Sequence, residues 1–151
     1  MIHRDTIQVK STIAVDYRSF ECQLLRLTSS NSKSSDVINL VVVYRPPSTD
    51  LSEFYDDLSI LFDKFGDVID RDQFICCGDF NCGGDSPTTT SPDLQSVLEA
   101  HGLQQLVKSP TRRTSKKSSL LDLVVCVDLV VYVRYQVPVL HVTGCMYCYV
   151  L

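Results

Sequence analysis

Apolar and polar positions alternate along the first thirty residues in a way that suits extended chain. Thr6 to Val15, with Val9, Ile13 and Val15 on one side, and Ser19 to Thr28, with Phe20, Cys22, Leu24 and Leu27, predict two strands. Asp16-Tyr17-Arg18 between them is short enough for a hairpin. Ser29 to Ser35 has no apolar residue and reads as a loop. Val37 to Tyr44 is a nearly continuous apolar run, the signature of a strand covered on both faces. Arg45-Pro46-Pro47 ends it, because proline cannot donate to a ladder.

The period then changes. From Thr49-Asp50 onward, Leu51, Phe54, Tyr55, Leu58, Leu61, Phe62 and Phe65 recur at three- and four-residue steps, which predicts an amphipathic helix ended by Gly66. Gln73 to Cys77 predicts a short central strand that stops at Gly78. A turn-rich stretch with Gly83, Gly84, Ser86 and Pro87 follows. Ser91-Pro92 opens a second helix with Leu94, Val97 and Leu98 on its apolar face and Gly102 at its end. Leu120 to Cys126, Leu129 to Val133 and Val137 to Val142 read as three further strands. Strand, helix, strand, helix and strands again is a mixed α/β order, in which ligand sites gather where strands give way to loops.

Composition narrows the picture. The 151 residues suit one domain, and 44% hydrophobic with 21% charged residues is ordinary for a globular chain. The net charge of −4 does not announce a nucleic-acid binder. Lys108, Arg112, Arg113, Lys116 and Lys117 nevertheless fall within ten positions, either to meet phosphate or as a solvated loop. The seven cysteines are irregularly spaced and the first residues lack an apolar signal region, so reduced thiols in an intracellular, non-secreted protein are expected. Cys145-Met146-Tyr147-Cys148 and the trio Cys76, Cys77 and Cys82 do not assemble a zinc set, since neighbours in a strand point to opposite faces. Leu120 to Val142 is apolar, but Asp122, Asp128, Arg134, Gln136 and Pro138 interrupt it, against a membrane span.

The chemistry concentrates at Cys77-Gly78-Asp79-Phe80-Asn81. Two residues apart in extended backbone, Asp79 and Asn81 would face the same way with Phe80 turned into the core. A carboxylate there can orient or deprotonate a water or help hold a hard cation, and an amide beside it can donate to a phosphate oxygen. The bland alternative is an Asx-turn closing a strand.

Order supplies context. Val41-Val42-Val43-Tyr44-Arg45-Pro46-Pro47 precedes Ile75-Cys76-Cys77-Gly78-Asp79-Phe80-Asn81, and then come Gly102-Leu103-Gln104-Gln105-Leu106-Val107, Pro110-Thr111-Arg112 and Leu120-Leu121-Asp122-Leu123-Val124-Val125. This series resembles the endonuclease/exonuclease/phosphatase superfamily and, more narrowly, the endonuclease domain of non-LTR (LINE-type) retrotransposons, over about residues 1 to 126. The resemblance implies a two-sheet α/β sandwich and Mg²⁺-dependent hydrolysis of a DNA phosphodiester. It implies that Tyr44 contacts the scissile phosphate and that Asp79 orients the attacking water, with a weak claim on the metal. It implies that Asn81 binds phosphate and holds that aspartate, and that Asp122 orients a catalytic histidine. Arg45 and the Lys108 to Lys117 cluster become candidate nucleic-acid contacts. The structural alternatives are a core aromatic at Tyr44 and a strand-end cap at Asp122.

The departures are equally specific. The family begins with a strand bearing Asn and then a strand bearing the metal-ligating Glu, whereas this chain matches from about the third or fourth strand. Glu21 falls at a later strand position and reads as a surface charge. The family's closing Ser-Asp-His is absent, and His3, His101 and His141 do not stand in its place. The expectation is therefore a partial sandwich domain over residues 1–126, with a divergent strand-rich tail over 127–151 packed on it. Its activity should be weak or nil, and its exposed sheet edge is open to self-association. A non-catalytic nucleic-acid-binding module and another phosphoesterase of the superfamily are the rival readings. The Tyr-Arg-Pro-Pro and Leu-Asp-Leu-Val motifs speak against the second.

Overall fold

The computed structural model describes residues 7–29, 37–69 and 74–127, with the backbone alone for 7–16, 29 and 68. Strands β1 (Ile7–Asp16), β2 (Glu21–Ser29) and β3 (Val37–Tyr44) are followed by helices α1 (Leu51–Lys64) and α2 (Gly66–Ile69). Then come β4 (Phe74–Asp79), α3 (Pro92–Ala100), β5 (Gln104–Gln105), β6 (Arg112–Arg113), β7 (Ser118–Ser119) and β8 (Asp122–Cys126). Six strands make one sheet in the order β1-β2-β3-β4-β8-β5, and β6-β7 form a separate hairpin. β1-β2 and β2-β3 are antiparallel, β3 and β4 are parallel across the helical crossover, and β4-β8 and β8-β5 are antiparallel. The result is a mixed α/β sheet with flanking helices, as expected of the fold class.

Alternation along the strands splits the core in two. Phe20, Cys22, Val41, Val43, Phe74, Cys76, Leu123 and Val125 face the helices and meet Phe54, Leu58, Leu61, Phe62, Leu94 and Leu98. Leu27, Leu40, Ile75, Cys77 and Cys126 form a second buried cluster, joined by Leu25, Ile38, Val42, Leu106 and Val124. Cys76 and Cys77 therefore lie on opposite faces, as neighbours in a strand must. Burial drives the Cys76 thiol well above its usual range and pushes Cys82 up to about 12, so both stay protonated and act as small apolar groups.

The helices start where their capping residues stand. Asp50 accepts from Glu53 N at 3.0 Å at the head of α1, and Ser91 from Leu94 N at 3.3 Å at the head of α3, each cap worth about 1 kcal/mol. Gly102, with φ +64°, terminates the α3 turn as the sequence predicts.

Gly66 does not do the same for α1. Phe65 is the cap, its N–H turned back on Phe62 O, and Gly66 opens α2. The strand expected to stop at Gly78 instead runs through it to Asp79. Gly78, at φ +150°, lies so close to β3 that a Cβ would sit 1.8 Å from Val43 O, so only glycine lets the strand continue. The two-residue strands β5, β6 and β7 were not predicted, being too short to show a period. Leu129 to Val133, Val137 to Val142, His3, His141 and Cys145 to Cys148 lie outside the described residues. No helix among the described residues is long and apolar enough to cross a membrane.

Candidate phosphodiester site

Three strands deliver the site residues to one row. Tyr44 closes β3 opposite Asp79 at the end of β4, and Asp79 stands opposite Asp122 at the start of β8. Directly opposed residues of neighbouring strands project from the same face, so Tyr44, Asp79 and Asp122 line one rim of the sheet. Glu21 is paired with Tyr44 on the far side and extends the row by one exposed carboxylate. Tyr44 is 48% exposed, which rules out the core-aromatic alternative. Phe80 does turn inward, fully buried against Phe54 in an edge-to-face contact at 6.0 Å between centroids.

Asn81 departs from the simple expectation. Its φ of +50° takes it out of extended backbone, so it does not share a face with Asp79 as alternate strand residues do. Its N–H donates to Asp79 Oδ1 at 3.1 Å, so the geometry includes the Asx-turn that the bare triplet suggests. Its side-chain Nδ2 donates to Arg45 O at 2.8 Å. Burial, and then the carboxylate of Asp122, raise Asp79 above the usual aspartate range. Bonds from Asn81 and the charge of Arg112 oppose that rise in part.

Arg45, a candidate nucleic-acid contact in the sequence, is only 3% exposed. Strand alternation sends Tyr44 outward and Arg45 under the loops. There Nη1 donates to Asn81 O at 3.0 Å and Nη2 to Thr49 O at 2.6 Å, and the guanidinium carbon lies 5.4 Å from the centre of the Phe54 ring. The basic cluster divides as well. Lys108 turns back on Gln105 O at 3.1 Å, whereas Arg112, Arg113, Lys116 and Lys117 are exposed on the β6-β7 hairpin. Thr111 roots that hairpin beside the rim, because its Oγ1 accepts from both Leu121 N at 3.1 Å and Asp122 N at 3.0 Å. The Pro110-Thr111-Arg112 motif in the sequence does not disclose what Thr111 holds, since both N–H groups lie ten and eleven residues on.

No described histidine approaches the rim. His101 sits at the α1–α3 junction, its Nδ1 2.9 Å from Val97 O and its Nε2 3.1 Å from Asp63 Oδ1. Among the described residues no group of three or more His, Cys, Asp or Glu side chains could hold a metal ion. Asp79 and Asp122 supply this rim with two carboxylates, the number by which Mg²⁺ is commonly held when water and substrate phosphate complete its shell.

Comparisons with known proteins bear on the fold and the family. No curated protein matches the chain. Among solved structures, the endonuclease domain of TRAS1, a telomere-specific non-LTR retrotransposon, is similar with a TM-score of 0.53 and 18% identity, covering 79% of this chain and 57% of that one. A humanised D. rerio TDP2 has a TM-score of 0.59 at 12% identity, covering 82% and 53%. The human nocturnin catalytic domain has 0.56 at 14%, covering 81% and 48%. These likenesses establish the fold, and the chain spans about half the length of each of those structures. The family model for endonuclease-reverse transcriptase matches residues 38–138, a stretch that holds Tyr44, Asp79, Asn81, Thr111 and Asp122. The chain belongs to that endonuclease-reverse transcriptase family, within the endonuclease/exonuclease/phosphatase fold.

Proposed function

We propose that the rim formed by Tyr44, Asp79, Asn81 and Asp122 is a phosphodiester site for DNA, derived from a retrotransposon-type endonuclease. The alignment of Tyr44, Asp79 and Asp122 in one register across three strands carries this reading. Asp79 has raised proton affinity, which suits a group that orients a water and takes its proton. The half-exposed Tyr44 hydroxyl is available to a phosphate oxygen. Asn81 steadies Asp79 through its N–H, and its side-chain amide is held next to that turn by Arg45 O.

Charge developing on the phosphoryl oxygens needs a cation or donor to stabilise it, a contribution of several kcal/mol. The family's metal-ligating glutamate and its histidine have no counterpart among the described residues. We therefore expect the chain as given to handle phosphate and water but to cleave DNA weakly or not at all. Nicking of supercoiled plasmid with Mg²⁺ tests this against Asp79→Ala. Near-background nicking in both proteins is the expected result. Robust nicking abolished by Asp79→Ala would overturn the weak-activity reading, and robust nicking untouched by it would remove Asp79 from the site.

A second reading, a non-catalytic nucleic-acid-binding module, is favoured by the exposure of Arg112, Arg113, Lys116 and Lys117 on a rooted hairpin. Phosphate contacts release counterions, so duplex affinity should fall with salt, with a log–log slope near −0.9 per contact. Replacing Arg113, Lys116 and Lys117 by alanine should flatten that slope. Salt-independent affinity counts against this reading.

A further inference from the structure

Arg45 is the one described side chain with a buried nitrogen that has no hydrogen-bond partner, its Nε. Among the described residues no carboxylate forms an ion pair with it. Burying a guanidinium without a carboxylate is costly unless its donors are used well. Here two go to backbone carbonyls of two different loops, Asn81 O and Thr49 O. The backbone of Arg45 joins the same partner from both ends. Its N–H donates to Asp79 O at 2.9 Å, and its carbonyl accepts from Asn81 Nδ2. Four hydrogen bonds thus connect Arg45 to residues 49, 79 and 81, three of them to the Asp79–Asn81 turn.

That turn needs holding. A residue with a side chain at φ +50° is uncommon, and asparagine tolerates it best. The bond from Asn81 N–H to Asp79 Oδ1 exists only while the turn is kept.

We propose that Arg45 is a positioning residue: its buried guanidinium, gripping Asn81 O and Thr49 O together, fixes the left-handed Asn81 turn and through it the carboxylate of Asp79. The proposal rests on the reading of the rim as a phosphodiester site. It assigns Arg45 to aiming the water-orienting group rather than to touching nucleic acid. Lysine would not substitute, because one ammonium on a flexible stem lacks the rigid fork that spans two carbonyls.

The test is NMR on the full 151-residue chain. In the wild type, a guanidinium held at both Nη atoms should give separate, slowly exchanging Nη signals for Arg45. A single averaged signal would overturn the proposal without any variant. In Arg45→Lys, the Asp79 carboxyl titration midpoint should move up by about half a pH unit or more, because a bond to the charged form is lost. The Asn81 side-chain amide signal should shift with it, while the resonances of Ser19 and Asp57, which bond each other away from the rim, stay in place. A folded Arg45→Lys protein with an unmoved Asp79 midpoint would sink the assignment. If that variant does not fold, the wild-type Nη signals decide. Neither measurement requires DNA, so a protein that never engages DNA while the Asp79 midpoint still responds would retire the phosphodiester reading and leave the clamp standing.

Discussion

The Asp79–Asn81 turn and the β6-β7 hairpin flank the same rim but are held in opposite ways. The turn is interlocked from beneath. Phe80 is fully buried, Arg45 ties its backbone, and Phe80 N–H donates to Leu121 O at 2.9 Å. The hairpin is held at its root by Thr111 and closed at its tip by Thr114, whose Oγ1 accepts from Lys117 N at 2.9 Å and from Lys116 N at 3.3 Å. Its charged side chains reach into solvent. On the proposed reading the contrast has a reason: groups that do chemistry must be fixed to a fraction of an ångström, and a turn interlocked with the core would hold them so. Charges proposed to meet a phosphate backbone would need only delivery to the right side, for which an exposed ribbon with a fixed base suffices.

The largest expected effect is at Gly78. Gly78→Ala places a Cβ 1.8 Å from Val43 O at a φ unsuited to side chains, and the clash is with backbone that cannot swing aside. A loss of about 4 kcal/mol or outright failure to fold is expected in chemical denaturation. A nearly neutral change would mean that the turn is not locked through β4 at all.

Thr111→Val comes next. It keeps the shape but leaves the N–H groups of Leu121 and Asp122 without their shared acceptor, costing about 1–3 kcal/mol. Amide exchange should quicken at Leu121, Asp122 and across β6-β7 while the Asp79–Asn81 turn keeps its protection. Equal quickening in both regions would erase the contrast between them.

The smallest effect is at Asp79 itself and depends on pH. Its folded-state affinity for protons is raised, so the folded chain binds the proton more tightly than the unfolded chain. The charged carboxylate therefore counts against folding, and stability is lost as pH rises from the ordinary value of 3.8 through the raised one. Asp79→Asn should unfold at a slightly higher temperature than wild type at pH 7, with the advantage fading below the ordinary aspartate range. Lower stability at pH 7 would mean that the carboxylate's bond to Asn81 outweighs its burial.

Much of this is legible in the sequence. The doubly apolar run at Val37–Tyr44, the buried stripe of Phe54, Tyr55, Leu58, Leu61 and Phe62 on α1 and the caps at Asp50 and Ser91 follow from local periodicity and side-chain chemistry. The same holds for the ordered motifs around Tyr44, Asp79, Asn81 and Asp122. Periodicity fails where a residue's job depends on distant chain. Gly78 looked like a stop signal because its close neighbour, Val43 O, lies on another strand. Arg45 reads in the sequence as a candidate nucleic-acid contact, whereas the carbonyls of Asn81 and Thr49 and the Phe54 ring, all distant or on loops, make its burial tolerable.

The sequence by itself determined the long strands β1 to β4 and β8 and the helices α1 and α3, since apolar period and capping are local properties of the chain. It also carried the identity of the candidate chemical groups and their order. Tertiary structure alone decided their alignment, because register between β3, β4 and β8 is fixed by non-local hydrogen bonding and by burial on both faces of the sheet. It likewise decided that Arg45 lies beneath the Asp79–Asn81 turn while the other cations lie beside it, since each position depends on what packs above and below the strand ends.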